Sequence, residues 1–415
     1  MNLMINLELL LIIGIIIIIS EIILIAIIKI SKNKFQWLIT SSDEKPKLSS
    51  SGLDKFIPIG YDSLLGWVRK PNTKNTELGQ NGKTFWSINE YGARSNLEYE
   101  NHNSLISCYG DSFTFCRQVN DDETWQVSLS KVIKSNVINF GVGNYGIDQA
   151  LLRLKSEYTK HPTKIVVMGI VPDTILRIHS MWKHYSEYGN TFGFKPKFIF
   201  KKNKLELMAN PINSEKNFYE YEKYLDYIQQ HDFFYKNKFK KEQISFPFII
   251  SMWKNFPRNF YIIYWVLKNN YFKIGNKSSQ ENWKPMNFIM KTNLQYRINF
   301  FKNKNSLLLE AIIKNFLQYS EEQNFIPVLL LLPQKDDLNF IKNNYHFYKN
   351  FLDKIKKLDK IIVLDFSSKL LSKSNLDELY SDDNEYGGHF TAKTNQILAS
   401  FLYDQLKSRN LINKI

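Results

Sequence analysis

The chain of 415 residues predicts an α/β fold, a three-layer sandwich built on a five-stranded parallel sheet, with a helical insertion and an N-terminal transmembrane helix. Three observations carry this. Short, nearly continuous apolar runs recur with helical patterns between them, which suits strands buried on both faces of a sheet. One interval of about 120 residues, 180–300, breaks the rhythm and is too long for an ordinary connection. The first residues are almost wholly apolar.

The apolar stretch runs from Met4 to Ile28 in "MINLELLLIIGIIIIISEIILIAIIKI". At 1.5 Å per residue it is long enough to cross about 30 Å of hydrocarbon. Glu21 lies deep in it and needs a partner or an interface. The run is longer than a signal-peptide core and no small-x-small cleavage site follows, so an uncleaved single-pass anchor is expected. Lys29, Lys32 and Lys34 follow it and no Lys or Arg precedes it, which by the positive-inside rule leaves the rest of the chain in the cytoplasm. Residues 31–55 are polar and serine-rich and are expected to act as a linker. Residues 56–103, with "YDSLLGWVRKPNT" and "TFWSINEYGARSN", are expected to form an N-terminal extension of short strands and turns.

The main domain is expected over 104–410. Its predicted strands are 104–109, 136–141, 164–170, 325–332 and 360–366. Helical faces fall between them: Trp125, Leu129, Val132 and Ile133; Ile147, Leu151 and Tyr158; Leu307, Ala311, Ile312 and Phe316. The insertion at about 180–300 holds an aromatic-basic segment, "FPFIISMWKNFPRNFYIIYWVLKNNYFKIG". It is read as a lid packed on the core, the alternative being a membrane-interface element.

The formal charge of +15 raises the question of an anionic partner. Lysine is spread along the whole chain, however, with no Arg-rich block and no nucleic-acid motif, so no nucleic-acid partner is expected. Two cysteines, Cys108 and Cys116, cannot form a disulfide framework. The seven histidines are scattered without ligand spacing, and no metal or organic cofactor is expected.

The chemistry points to two places. "SLISCYGDSFTFCRQVNDDETWQ" ends an apolar run in Gly110-Asp111-Ser112 and then turns helical. In an open α/β sheet, sites form outside the carboxyl ends of the strands. Ser112 therefore projects into the crevice at a helix start, where free N–H groups favour developing negative charge. Near the other end, "DDNEYGGHFTAKTNQILASFLYDQL" places His389 in a loop before a helix whose Ile397, Leu398, Phe401, Leu402 and Leu406 face inward. A nucleophile and a base at one end of one sheet define acyl-transfer chemistry. Asp383 is the expected acid of the triad, with Glu385 as the alternative and Asp382 as a weaker candidate.

These blocks resemble the GDSL/SGNH hydrolase superfamily. "YGDSFTF" is similar to its first block, with the nucleophile at Ser112, and "GGHFTAKTNQILA" to its last, with the base at His389. "VINFGVGNYGIDQALLRLK" is similar to the second block. The resemblance implies an SGNH/flavodoxin-like fold and an ester hydrolase working through an acyl-serine. It places oxyanion donors at the Ser112 and Asn144 backbone and, in a departed third block "MGIVPDTILR", at Thr174, Arg177 or His179. Asn144 stands where the family has glycine. Tyr386 stands where the family's acid is usual. "LGWVRKPNT", "GVGNYGIDQALLR" and "YGGHFT" resemble membrane-anchored members of bacterial surface polysaccharide loci. That implies a saccharide ester substrate and an extracytoplasmic location, preferred here over the cytoplasmic side that the lysines suggest. An O-acyltransferase and a non-catalytic carbohydrate-binding protein on the same fold are the alternatives.

Overall fold

The computed structural model describes residues 2–32, 37–268, 279–302, 306–382 and 387–412. Asn2–Lys32 forms a single helix, α1. The sheet strands are β1 (Ser104–Gly110), β2 (Asn136–Asn139), β3 (Ile165–Ile170), β4 (Ile326–Leu331) and β5 (Ile362–Asp365). All neighbours run parallel, in the order β5-β4-β3-β1-β2. The predicted α/β sandwich is thus the observed fold, with each strand within a few residues of its apolar run.

In chain order, the helices that matter to the site and its surroundings are α2 (Ser112–Phe115), α3 (Trp125–Ile133), α4 (Ile147–Glu157), α5 (Thr174–Arg177), α6 (Phe248–Lys254), α7 (Arg258–Leu267), α8 (Ser306–Gln323) and α9 (Ala392–Lys407). α3 and α9 pack together against one face of the sheet, and α4 and α8 against the other. Alternation within the strands supplies both faces. Ile106, Cys108, Ile165, Val167, Val328 and Leu330 join Trp125, Leu129, Leu398 and Leu402 in one core. Val166, Met168 and Leu329, one residue out of phase, are equally buried on the opposite side.

The chain divides into two compact units. One comprises Met1–Ser49, Trp182–Gly193 and Glu220–Ile289; the other comprises Ser50–Met181, Phe194–Tyr219 and Met290–Ile415 and contains the sheet. The interval expected as one helical insertion is therefore shared. Its residues 194–219 go with the sheet and include an antiparallel hairpin, Lys197–Lys201 with Lys204–Met208. The cause is local. "KFIFK" and "KLELM" flank Lys202 and Asn203, both at positive φ, 49° and 60°, the geometry of a two-residue hairpin turn. The polar segment after α1 is partly packed as well: Trp37, Leu38 and Ile39 are buried, and they form an apolar triplet inside an otherwise hydrophilic run.

The strand order changes direction between β1 and β3, which makes the crevice there the place for a ligand. Gly110 and Gly169 face each other across these two strand ends. A Cβ on either would come within 2.2 Å of the Thr114 hydroxyl, so only glycine lets α2 sit down on the sheet. We expect Gly169→Ala to lower the unfolding free energy by about 1–3 kcal/mol through overpacking. Adding Thr114→Ala removes the clashing oxygen, and denaturant titration of the double variant should recover much of that loss.

Candidate active site

The Gly110-Asp111-Ser112 turn is fixed by Asp111. Its carboxylate caps α2, accepting from the Phe113 N–H at 2.9 Å. Its other oxygen accepts from Arg177 Nη1 at 2.9 Å. Arg177 also donates from Nη1 to the Tyr145 carbonyl and from Nε to Asp173 Oδ2, each at 2.9 Å. One guanidinium thereby joins the loops that follow β1, β2 and β3. Burial pushes the Asp111 carboxyl up, and Arg177 and the Phe113 N–H pull it back.

Ser112 is the first residue of α2 and is buried, with 5% of its surface exposed. Its backbone N–H is among the donors a helix leaves free at its start. Asn144 lies in the loop after β2 with φ of 69°, the left-handed conformation that asparagine tolerates better than most residues. The turn is held by Trp67, whose Nε1 donates to the Gly143 carbonyl at 3.0 Å, while Tyr145 Oη donates back to the Trp67 carbonyl. Thr174 begins α5 and is buried. Its hydroxyl accepts from the Ile147 N–H at 2.8 Å and so caps α4, with its own proton still able to be donated.

His389 lies at the same end of the sheet. Its imidazole is 4.9 Å, centroid to centroid, from the ring of Phe113, the residue after Ser112. No hydrogen bond links the Ser112 hydroxyl to His389 among the described residues. Such bonds commonly tighten only when substrate is present. The expected acids Asp383 and Glu385 lie outside the described residues, as does Tyr386. The group on His389 Nδ1 is a neutral one: Gln118 Oε1, at 2.7 Å.

Gln118 is the residue that sequence reasoning missed. Its Oε1 also faces the Ser381 hydroxyl at 2.8 Å and the His389 backbone N–H at 3.0 Å. Its Nε2 faces two acceptors, Asp382 Oδ1 at 3.2 Å and the Leu78 carbonyl at 3.3 Å. This division of partners fixes the amide orientation, since the opposite flip would set donors against donors. An acceptor at Nδ1 then requires the proton there and leaves the lone pair on Nε2, the tautomer a general base needs. Asp382 reaches the histidine only through this amide.

The N-terminal extension holds Gln118 in turn. Glu77, on the strand Lys74–Gly79, accepts from the Gln118 N–H at 2.9 Å and from Arg117 Nε at 2.7 Å. Arg94 is buried and donates to the carbonyls of Phe115, Cys116 and Val119 and to Asp121. The signal for these contacts in the sequence was weak: charged residues amid aromatics, in a stretch with no motif.

His389 is 8% exposed, and its pKa is held well below the usual histidine range, first by burial and then by the charges of Arg117 and Arg177. The free base therefore persists into acid. Cys108 and Cys116 are both buried as free thiols, and burial pushes Cys116 up to about 12, so neither supplies a thiolate at neutral pH. Among the described residues no three His, Cys, Asp or Glu side chains are grouped to hold a metal.

No protein-family profile matches the chain, and no curated protein sequence matches it. Among solved structures, it is similar to a protein from Desulfitobacterium hafniense assigned to the lipolytic G-D-S-L family. The identity is 13%, over 73% of this chain and 98% of that one, with a TM-score of 0.34.

The histidine environment yields a pH prediction. Ester turnover that uses neutral His389 should keep its kcat/KM constant on acidification through pH 6.5, with the acid limb well below that value. Gln118→Glu places a carboxylate on Nδ1, favours the imidazolium and should move the limb upward. Gln118→Ala, which frees the ring and its tautomer, should lower kcat by about tenfold or more with little change in KM. A pH–rate series on the three proteins checks all of this.

Proposed function

We propose that the sheet unit is a serine ester hydrolase of the SGNH type, and the Gln118 clamp on His389 Nδ1 is the observation that carries the reading. A histidine with its free nitrogen fixed, beside a serine on a helix start at a sheet switch point, is arranged for acyl transfer. Ser112 Oγ attacks the ester carbonyl carbon while its proton passes to His389 Nε2. The resulting oxyanion lies against the Ser112 and Asn144 backbone N–H groups, each contributing about 3 kcal/mol to lowering the barrier. The carbon–oxygen bond to the alcohol breaks as Nε2 returns the proton to the leaving oxygen. Water, deprotonated by the same nitrogen, then attacks the acyl-serine, and Ser112 is released with a carboxylic acid. An O-acylated saccharide is the substrate class supported by the resemblance of the second and last blocks. An O-acyltransferase follows the same path with a sugar hydroxyl in place of water.

A non-catalytic saccharide-binding role is the second reading. It is favoured by one observation, a neutral amide where hydrolases of this kind hold a carboxylate. The two separate on covalent labelling. A fluorophosphonate probe should label the wild-type protein and leave Ser112→Ala unlabelled, and the variant should lose nearly all turnover of a short-chain aryl ester. Equal labelling of both removes Ser112 as the nucleophile.

Within this reading α1 is a single-pass membrane anchor. Within Glu8–Lys32 the most apolar 18-residue window has a mean hydropathy of 3.3 and is only 6% buried, and the helix is long and apolar enough to cross a bilayer. We place the catalytic unit outside the cytoplasm, as the resemblance implies. Protease added to intact spheroplasts should then digest it, and full protection until lysis would put it inside.

A further inference from the structure

Glu21, the costly carboxylate inside the apolar run, has a partner within its own compact unit. Its two oxygens accept from the backbone N–H groups of Phe248 and Ile249, the latter at 2.9 Å. These are the first two residues of α6, so Glu21 caps that helix from outside. α6 and α7 both pack on α1. Leu24, Ile27 and Ile28 of α1 share a core with Met252, Ile262, Ile263 and Val266.

The opposite face of these two helices is apolar and, among the described residues, exposed. Phe246, Ile250, Trp253, Phe256, Phe260 and Tyr264 recur at three- and four-residue spacing, and each is 38–72% exposed. Trp253 lies against Phe256 and Phe260, at 5.8 and 5.5 Å between ring centroids. A contiguous exposed aromatic surface of this kind calls for an apolar phase or a partner. The height of the two helices along α1 decides between them. Glu21 precedes Lys29 by eight residues, about 12 Å along a helix. The start of α6 is thus level with residues of α1 that the anchor reading places inside the hydrocarbon. Charges near these helices are paired: Arg258 with Glu242 at 3.3 Å, and Lys32 with Asp43 at 3.2 Å. Exposed Lys254 beside Trp253 matches the aromatic-and-lysine pattern of the headgroup region.

We infer that α6 and α7 form a second membrane element, a monotopic helix pair that lies in one leaflet beside α1 with its aromatic face in the lipid. The occupant of that face is the bilayer itself, continuous with the lipid around the span. The inference rests on α1 being a membrane anchor, and the test separates the two. Single cysteines are placed at Trp253, at Phe256, at Ile16 in the span and at Lys407 on the sheet unit, in the full chain, and labelled with an environment-sensitive fluorophore. The native Cys108 and Cys116 are buried. Each protein is reconstituted into phosphatidylcholine–phosphatidylglycerol vesicles carrying doxyl groups near the headgroup or at mid-chain. We expect about twofold or greater loss of emission at 253 and 256 with the shallow quencher, loss at 16 with the mid-chain quencher, and none at 407. Quenching at 16 with none at 253 or 256 overturns the second membrane element and leaves the anchor. No quenching at 16 overturns the anchor, and with it the inference built upon it.

Discussion

The contact on which the site depends is the buried fan of hydrogen bonds from Arg177. A parallel sheet brings the ends of β1, β2 and β3 to one edge, but the loops beyond them have no ladder to hold them. Arg177 supplies the missing connection through Asp111, the Tyr145 carbonyl and Asp173. The planar guanidinium presents its donors in fixed directions, which a lysine in the same place does not. Asp111 in turn sets the start of α2, and so the backbone N–H and the hydroxyl of Ser112. The charge is confined at low dielectric, where removing one partner strands the other. The same positive charge helps keep His389 neutral, so structural and electrostatic roles meet in one side chain.

The second brace comes from outside the sheet. Residues before β1 supply no strand to the five-stranded sheet, though the Arg94 N–H donates to the Asn139 carbonyl at the end of β2, and they hold the loops around the site: Trp67 the Asn144 turn, Glu77 the Arg117–Gln118 turn, and Arg94 the carbonyls of Phe115 and Val119. Gln118 receives this support and passes it to His389. An amide in that position fixes the tautomer as a carboxylate would, but adds no charge to stabilise the imidazolium. Asp382 accepts from the other end of that amide, at 3.2 Å from Nε2.

The fold was legible because it is written in contiguous stretches. Five apolar runs announced five strands, and the helices between them showed their inward faces. Ser112 and His389 were legible for a similar reason, each lying in a compact local motif. Asn144 was readable as a residue able to take positive φ. What the sequence hid is non-local. Gln118 looks like a polar residue in a loop until the chain brings Ser381 and His389 to it. The resemblance offered Thr174 as an oxyanion donor; its bond to the Ile147 N–H, made between loops, was not readable from the chain. The hairpin at Lys197–Met208 was concealed by its setting in a long helical interval, although its turn residues were typical of the class.

The clamp on His389 joins residues 271 positions apart in the chain. A ribosome adding about 5–20 residues per second needs roughly 14–54 s to make that stretch. Ser112 is made early in that order, but its turn waits for Arg177, 66 residues after Asp111. His389 comes later still. Whatever chemistry joins the two must therefore wait until the last described helix, α9, has been made and docked.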